Sequence, residues 1–310
     1  MTDKHNVTFD SAGITIAAHL YLPDSHAAGP LPAVVVGHPG TGVKEQTAGL
    51  YASRLAAEGF VTLAYDAAYQ GESGGLPRGL EDPAQRIEDM KAAVSFLTTR
   101  AEVDPDRIGL TGICASGGYS LTAAASDHRI KAVATVSAVD VARQFRFGPT
   151  GSQAPDVFQG MLDAAAAART ATARGEDPGT LTLFPATAED ARAAGGEHGV
   201  EGFDYYCTPR GHHDRSAKSF DWRSVDKMAA FDAFVQVPLI GPRPLLMIVG
   251  SEAVTSWMSI DAFQRAVGPK EMFWVEGATH VDLYDKELYV GPALDRLSAF
   301  FDSNLRLASA

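Results

Sequence analysis

The chain reads as α/β: a mostly parallel central sheet flanked by helices, with an inserted, mainly helical cap. Three observations carry this. Short apolar runs bounded by turn residues alternate with helical stretches from residue 14 to residue 136, and the alternation resumes at 245. Strands alternating with helices imply a parallel sheet covered on both faces. Between 141 and 241 the alternation fails, which marks an insertion into one domain. The chain therefore divides into a first core segment (1–140), the cap (141–241) and a second core segment (242–310). Its 310 residues, 45% apolar and 21% charged, suit a globular domain able to bury a substantial core.

The elements follow in order. Residues 14–22 alternate as a strand. Residues 32–37, PAVVVG, form a continuous apolar run, as a central strand buried on both faces should. A helix over 47–58 is closed by Gly59, and a strand follows over 60–65. The stretch 86–100 sets Ile87, Met90, Val94 and Leu97 on one helical stripe. A strand over 107–110, a helix over 119–126 and a strand over 131–136 complete the first part. In the cap, the alanine-rich stretch 161–174 is a good helix former. Beyond it lies an aromatic, basic patch, YYCTPRGHH (205–213). A strand over 245–249, a helix over 259–267, a strand over 271–275 and a helix near 293–301 end the chain.

The formal net charge of −12, with no basic cluster, argues against nucleic acid and anionic membrane as partners. With only Cys114 and Cys207, a disulfide framework is not expected. The N-terminal residues lack the apolar core of a secretory signal, so the expected location is cytoplasmic. No apolar run approaches the ~20 residues that span a bilayer. A homodimer is compatible with all of this. His212 and His213 lack a matching ligand set, so no metal is expected. The segment GHPGTGVKE lacks the G-x-x-x-x-G-K-[ST] phosphate loop, and no cofactor is expected.

The segment LTGICASGGYS (110–120) carries the chemistry. It runs from a buried strand into small residues, as a strained strand-to-helix turn presenting a nucleophile requires. With Cys114 at the turn, Gly112 and Ser116 are its small neighbours and the strand ends in register. With Ser116 at the turn, the strand would have to run two residues further. Cys114 is the better reading; an inert buried thiol is the alternative.

These residues resemble the α/β-hydrolases. DPDRIGLTGIC (104–114) looks like their approach to the nucleophile, GHPG (37–40) resembles their oxyanion loop, Asp66 with GESG (71–74) resembles their D-x-x-G-x-G-x-S segment, and GATH (277–280) resembles their histidine loop. More narrowly, GICASGGY, YYCTPRG, RPLLMIVGSEA and HVDLYD are similar to dienelactone hydrolases and to the polyketide transferase (thiohydrolase) group. The resemblance implies the α/β-hydrolase fold and, since dienelactone hydrolases also use a cysteine here, a thiol nucleophile. Cysteine stands in place of serine, and Ser116 and Pro39 in place of the usual glycines.

A thiol needs a base. In the family's chain order of nucleophile, acid and histidine, His280 fits, directly after the last strand. Glu252, at the carboxyl end of the 245–249 strand, is the expected acid, although it falls one residue short of the commonest G-x-x-D position. Asp140 is its rival, and Asp282 lies too close to His280 in sequence. The backbone N–H groups of Ala115 and Gly40 are the expected oxyanion donors, because Pro39 has none. His38 is expected to brace its loop.

The expected reaction is attack of the Cys114 thiolate on an acyl carbon of a small-molecule substrate, followed by hydrolysis of the acyl-cysteine with His280 as base, oriented by Glu252. A thiolate leaves easily, so the adduct goes forward only if the substrate's own leaving group departs readily. Thioesters, lactones and activated esters are favoured over amides. Acyl transfer follows if the cap excludes water. Tyr205, Tyr206 and Arg210 are the expected substrate contacts, Arg210 for a carboxylate; the other reading is that they pack the cap onto the core. A lyase on the same scaffold and a non-catalytic ligand-binding protein are the remaining alternatives.

Overall fold

A computed structural model of the chain describes residues 3–24 and 29–306. The elements are β1 (Asp3–Ser11), β2 (Ile14–Leu22), β3 (Leu31–Gly37), α1 (Thr47–Ala57), β4 (Val61–Tyr65), α2 (Pro83–Thr98), β5 (Val103–Ile113), α3 (Ala115–Ser126), β6 (Ile130–Val136), α4 (Val141–Phe147), α5 (Pro155–Ala173), β7 (Thr180–Thr182), α6 (Ala188–Cys207), β8 (Ser219–Asp221), α7 (Ser224–Ala229), β9 (Leu245–Gly250), α8 (Ser256–Arg265), β10 (Lys270–Val275), α9 (Asp282–Asp285) and α10 (Glu287–Leu305). Eight strands form one sheet in the order β1-β2-β4-β3-β5-β6-β9-β10. From β4 to β10 every pairing is parallel, while β1–β2 and β2–β4 are antiparallel.

Strand alternation sends side chains to both faces. Ala33 and Val35 of β3 enter the core shared with α2 and α3, while Val34 and Val36 enter the core shared with α1 and α10. Burying each such valine stabilises by about 1.5–3 kcal/mol. This two-faced burial is why β3 reads as a continuous apolar run.

The departures from the sequence reading are instructive. Strand β1 is charge-rich and mostly exposed, so its composition hid it; it pairs with β2 through a two-residue turn, Ala12-Gly13, with φ of +51° and +83°. Helix α2 begins at Pro83 rather than residue 86, because Asp82 caps it and proline fits the first turn. Helix α3 begins at Ala115 rather than Tyr119, although its first turn carries Gly117 and Gly118; close packing outweighs their poor helix propensity. The segment between β6 and β9 is mainly helical, as expected, but also holds the small antiparallel pair β7–β8.

Candidate functional site

The turn between β5 and α3 falls on Cys114, with φ +56° and ψ −120°. A non-glycine residue there stores roughly 1–3 kcal/mol of backbone strain. The turn is over-determined by its neighbours. Cys114 N donates to Val136 O at 3.0 Å, and Cys114 O accepts from Gly117 N at 2.8 Å and Val139 N at 3.0 Å. Gly112 is required two residues earlier, since a Cβ there would run into the Ser116 carbonyl.

Ser116 lies inside α3 and is 0% exposed. Its hydroxyl donates to His38 O at 2.5 Å and accepts from the Arg86 guanidinium at 3.0 Å. Ser116 therefore ties α3 to the loop after β3. His38 completes that tie. Its Nε2 accepts from Ala67 N at 3.0 Å, so Nδ1 carries the proton and donates to Pro39 O at 2.6 Å. Burial, and then the Arg86 charge, push its pKa well down, so it is a neutral brace. The loop so held aims Gly40 N–H at the Cys114 sulfur, where Ala115 N–H also points. Burial raises the Cys114 pKa; the Tyr284 hydroxyl and these two N–H groups oppose that rise by hydrogen bonding to the sulfur.

His280 follows β10 and is 1% exposed. Its Nδ1 meets Thr255 Oγ1 at 2.6 Å and its Nε2 meets the Tyr284 hydroxyl at 3.1 Å. His198 of α6 packs edge-on against it, with ring centroids 4.9 Å apart. Burial and then His198 push the His280 pKa well down, and burial alone pushes that of His198 to about 4.

Neither expected acid reaches His280. Glu252 is exposed, and among the described residues its carboxylate meets its neighbour Ser251 alone, at 3.5 Å. Beyond β9 the chain alternates: Glu252 and Val254 face out, while Ala253 and Thr255 face in. Ala253 occupies the G-x-x-D position, and Thr255 supplies the oxygen that orients the imidazole. The expectation of Glu252 as the acid is corrected on this geometry. Asp140 is fully buried, but it caps α4: Oδ1 accepts from Arg143 N at 3.1 Å and Oδ2 from Ala233 N at 2.8 Å. Asp282 belongs to the histidine loop itself, accepting from Thr279 N at 3.2 Å.

Burial pushes the Asp140 pKa up to about 6. The folded chain thus holds this proton more tightly than the unfolded chain, whose carboxylate titrates near 3.9. The stability it contributes is full below that value and lost as pH rises through about 6. Asp140→Asn turns an amide nitrogen towards one of the two N–H donors, a loss of about 1–3 kcal/mol. The fall in Tm is expected to be larger at pH 5 than at pH 8, with activity little changed. Thermal melts of both proteins across this range check it; a deficit independent of pH is the contrary result.

Cys114, Ala115, Gly40, His280 and Tyr284 all line one cavity of about 270 Å³. Its other walls are mainly apolar and include Val139, Phe145, Met161, Leu183, Phe184 and Phe220, all six from the segment between β6 and β9. Among the described residues, two polar atoms of the lining, His198 Nδ1 and Gln144 Oε1, find no hydrogen-bond partner; the Tyr206 hydroxyl interacts with that of Tyr284. Of the three expected substrate contacts, only Tyr206 lines this space. The Tyr205 hydroxyl accepts from Thr47 N at 3.1 Å and lies outside the cavity lining. Arg210 is held by Asp285 and Asp204 and by the Val281 carbonyl, so its guanidinium is already committed to closing α6 onto α9. Tyr205 and Arg210 are corrected to packing residues for that reason. Thr255, Tyr284 and His198 escaped the sequence reading. Tyr284 lies four residues after His280 and was the most legible of them.

Among the described residues, no group of three or more His, Cys, Asp or Glu side chains is arranged to hold a metal ion, and no helix is long and apolar enough to cross a membrane.

The strand order, the parallel sheet and a strained residue between a central strand and its helix make this an α/β-hydrolase. Residues 12–282 match the X-Pro dipeptidyl-peptidase (S15 family), and the chain belongs to that family. Protein YcjY of Escherichia coli (strain K12) is 40% identical over 306 residues, covering 98% of this chain and 97% of its own. The crystal structure of PA2218 from Pseudomonas aeruginosa matches at a TM-score of 0.91 and 38% identity, covering 98% of this chain and 94% of that one. Two fungal relatives are more distant. Acyltransferase drtE of Aspergillus calidoustus is 27% identical over 299 residues, 94% of this chain and 92% of its own. Thiohydrolase aneE of Aspergillus aculeatus is 28% identical over 277 residues, 86% of this chain and 83% of its own.

Proposed function

We propose that the chain cleaves an activated acyl compound, a thioester, lactone or activated ester, through an acyl intermediate on Cys114. The observation that carries this reading is the convergence of the Gly40 and Ala115 N–H groups on a sulfur held at a strained turn, in an apolar cavity that His280 also lines. An acyl chain fills the cavity; the two N–H groups receive the oxyanion as the thiolate attacks; His280 then activates water. The thiohydrolase and acyltransferase names of the fungal relatives support the same class of chemistry.

The resting charge state sharpens the substrate class. Burial favours the neutral thiol and the neutral imidazole, and Thr255 offers the imidazolium an oxygen but no negative charge. Forming the imidazolium is then costly, so the reaction runs best where the leaving group, a thiolate or phenolate, departs without waiting for its proton. Acyl transfer is the second reading: His280 is 1% exposed, so an acceptor bound in the cavity competes well with water.

Incubation with p-nitrophenyl acetate, followed by intact mass, tests the proposal. One acetyl group is expected on Cys114, absent in Cys114→Ala and slow to clear in His280→Ala. No adduct with any activated ester sinks the reading, as lyase or simple ligand binding would then explain the site better. Label on Ser116 would reassign the nucleophile.

A further inference from the structure

His280 Nε2 and the Tyr284 hydroxyl are hydrogen-bonded at 3.1 Å. That hydroxyl also acts on the Cys114 sulfur, opposing the rise of its pKa as a hydrogen-bond donor does. Among the described residues Cys114 and His280 show no such interaction with each other, and both reach the phenol. Its placement is fixed by the fold. Tyr284 lies one helical turn after His280, with ring centroids 5.7 Å apart, and edge-on contacts to Tyr205 at 5.1 Å and Tyr206 at 6.5 Å cage the ring. Tyr284 is 2% exposed. A buried neutral phenol is donor and acceptor at once, which a proton bridge requires.

We propose that Tyr284 is a catalytic residue whose hydroxyl carries the proton from the Cys114 thiol to His280. This rests on the reading of Cys114 as nucleophile. As the S–H bond breaks, its proton passes to the Tyr284 oxygen, and the proton already on that oxygen passes to His280 Nε2. Tyrosine ends as it began, neutral; the products are a thiolate and an imidazolium. The thiolate adds to the acyl carbon. On collapse of the adduct the leaving group departs with the electron pair of its bond, and the imidazolium returns a proton to it along the same path. In the tautomer that the relay uses, Nδ1 donates to Thr255 Oγ1 and Nε2 is free to accept.

The test is Tyr284→Phe, which removes one hydroxyl and keeps the ring in its cage. The single-turnover acylation rate with p-nitrophenyl acetate is expected to fall roughly 10²- to 10³-fold, with substrate affinity within about twofold. Alkylation of Cys114 by iodoacetamide at neutral pH slows alongside it, and its rise with pH moves to higher pH. A rate within about threefold of the parent's, or faster alkylation in the variant, overturns the bridge; faster alkylation would show that the phenol only obstructs a direct pair. The proton inventory of acylation in the unaltered protein gives a second reading that needs no variant. Two protons in flight give a curved dependence on deuterium fraction, and a straight line refutes the relay. The underlying reading fails differently: no acetyl group would then appear on Cys114 in the unaltered protein.

Discussion

His280→Ala is expected to lower kcat/KM for an activated ester by roughly 10²- to 10⁴-fold at neutral pH, the usual contribution of a positioned base. The defect should narrow above pH 9. Burial holds the Cys114 thiol above its ordinary range, near 8.5. Only at high pH does a useful fraction ionise without help, so the parent draws most from its base below that point. A pH–rate profile of parent and variant gives the answer, and parallel profiles would remove His280 from the proton path. Two companion variants separate the two candidates for orienting the ring. Thr255→Val leaves Nδ1 buried without a partner, a loss of about 1–3 kcal/mol, or roughly 5- to 150-fold in rate. Glu252→Gln alters an exposed carboxylate and should leave the rate within about twofold. The reverse ranking would restore Glu252 as the acid and require the loop after β9 to rearrange on substrate binding.

Gly112→Ala is expected to be the most damaging of the substitutions for stability. The added Cβ would collide with the Ser116 carbonyl and crowd the Ser120 hydroxyl, at 2.7 Å. The obstacle is the first turn of α3, held by Cys114 O accepting from Gly117 N and Val139 N. It cannot yield without moving the whole turn. Overpacking usually costs about 1–3 kcal/mol and more where backbone must move, so the upper end or beyond applies here. Chemical denaturation is expected to show a large fall in midpoint at an unchanged slope. The folded fraction should also lose Cys114 acylation, since the same shift turns the Ala115 N–H away from the sulfur. A variant as stable and as reactive as the parent would mean that the turn is softer than its hydrogen bonds imply.

The relation between sequence and structure differs along the chain for identifiable reasons. Strands β3 and β9 were legible because burial on both faces leaves an unbroken apolar run, whereas the charged first half of β5 was missed. Strand β1 was missed too, since it lies at a solvated edge where pairing with β2, rather than burial, defines it. Helix α6 hid because its glycines and charges give a weak helical pattern, and it is interrupted at Gly196, with φ +59° and ψ −147°. That helix carries His198 and Tyr206 to the cavity, which is why much of the site's polar lining escaped notice.

What the sequence determined by itself was the scaffold and the local turns. A cysteine among small residues after a buried strand, a glycine-bearing loop after an earlier strand and a histidine after the last one are local patterns, and each survives whatever packs against it. Only the tertiary structure decided which groups meet across those turns. Glu252 and Thr255 lie three positions apart in one loop, yet opposite faces of the chain send one to solvent and the other to His280. Arg210 was spoken for by Asp285 and Asp204, which lie 75 and 6 residues away. Tyr284 reached Cys114 from across 170 residues of chain because a helical turn and a cage of tyrosine rings held it there. A rotation of one residue redirects a side chain by about half a turn in extended chain, and no spacing rule in the sequence records the packing that selects it.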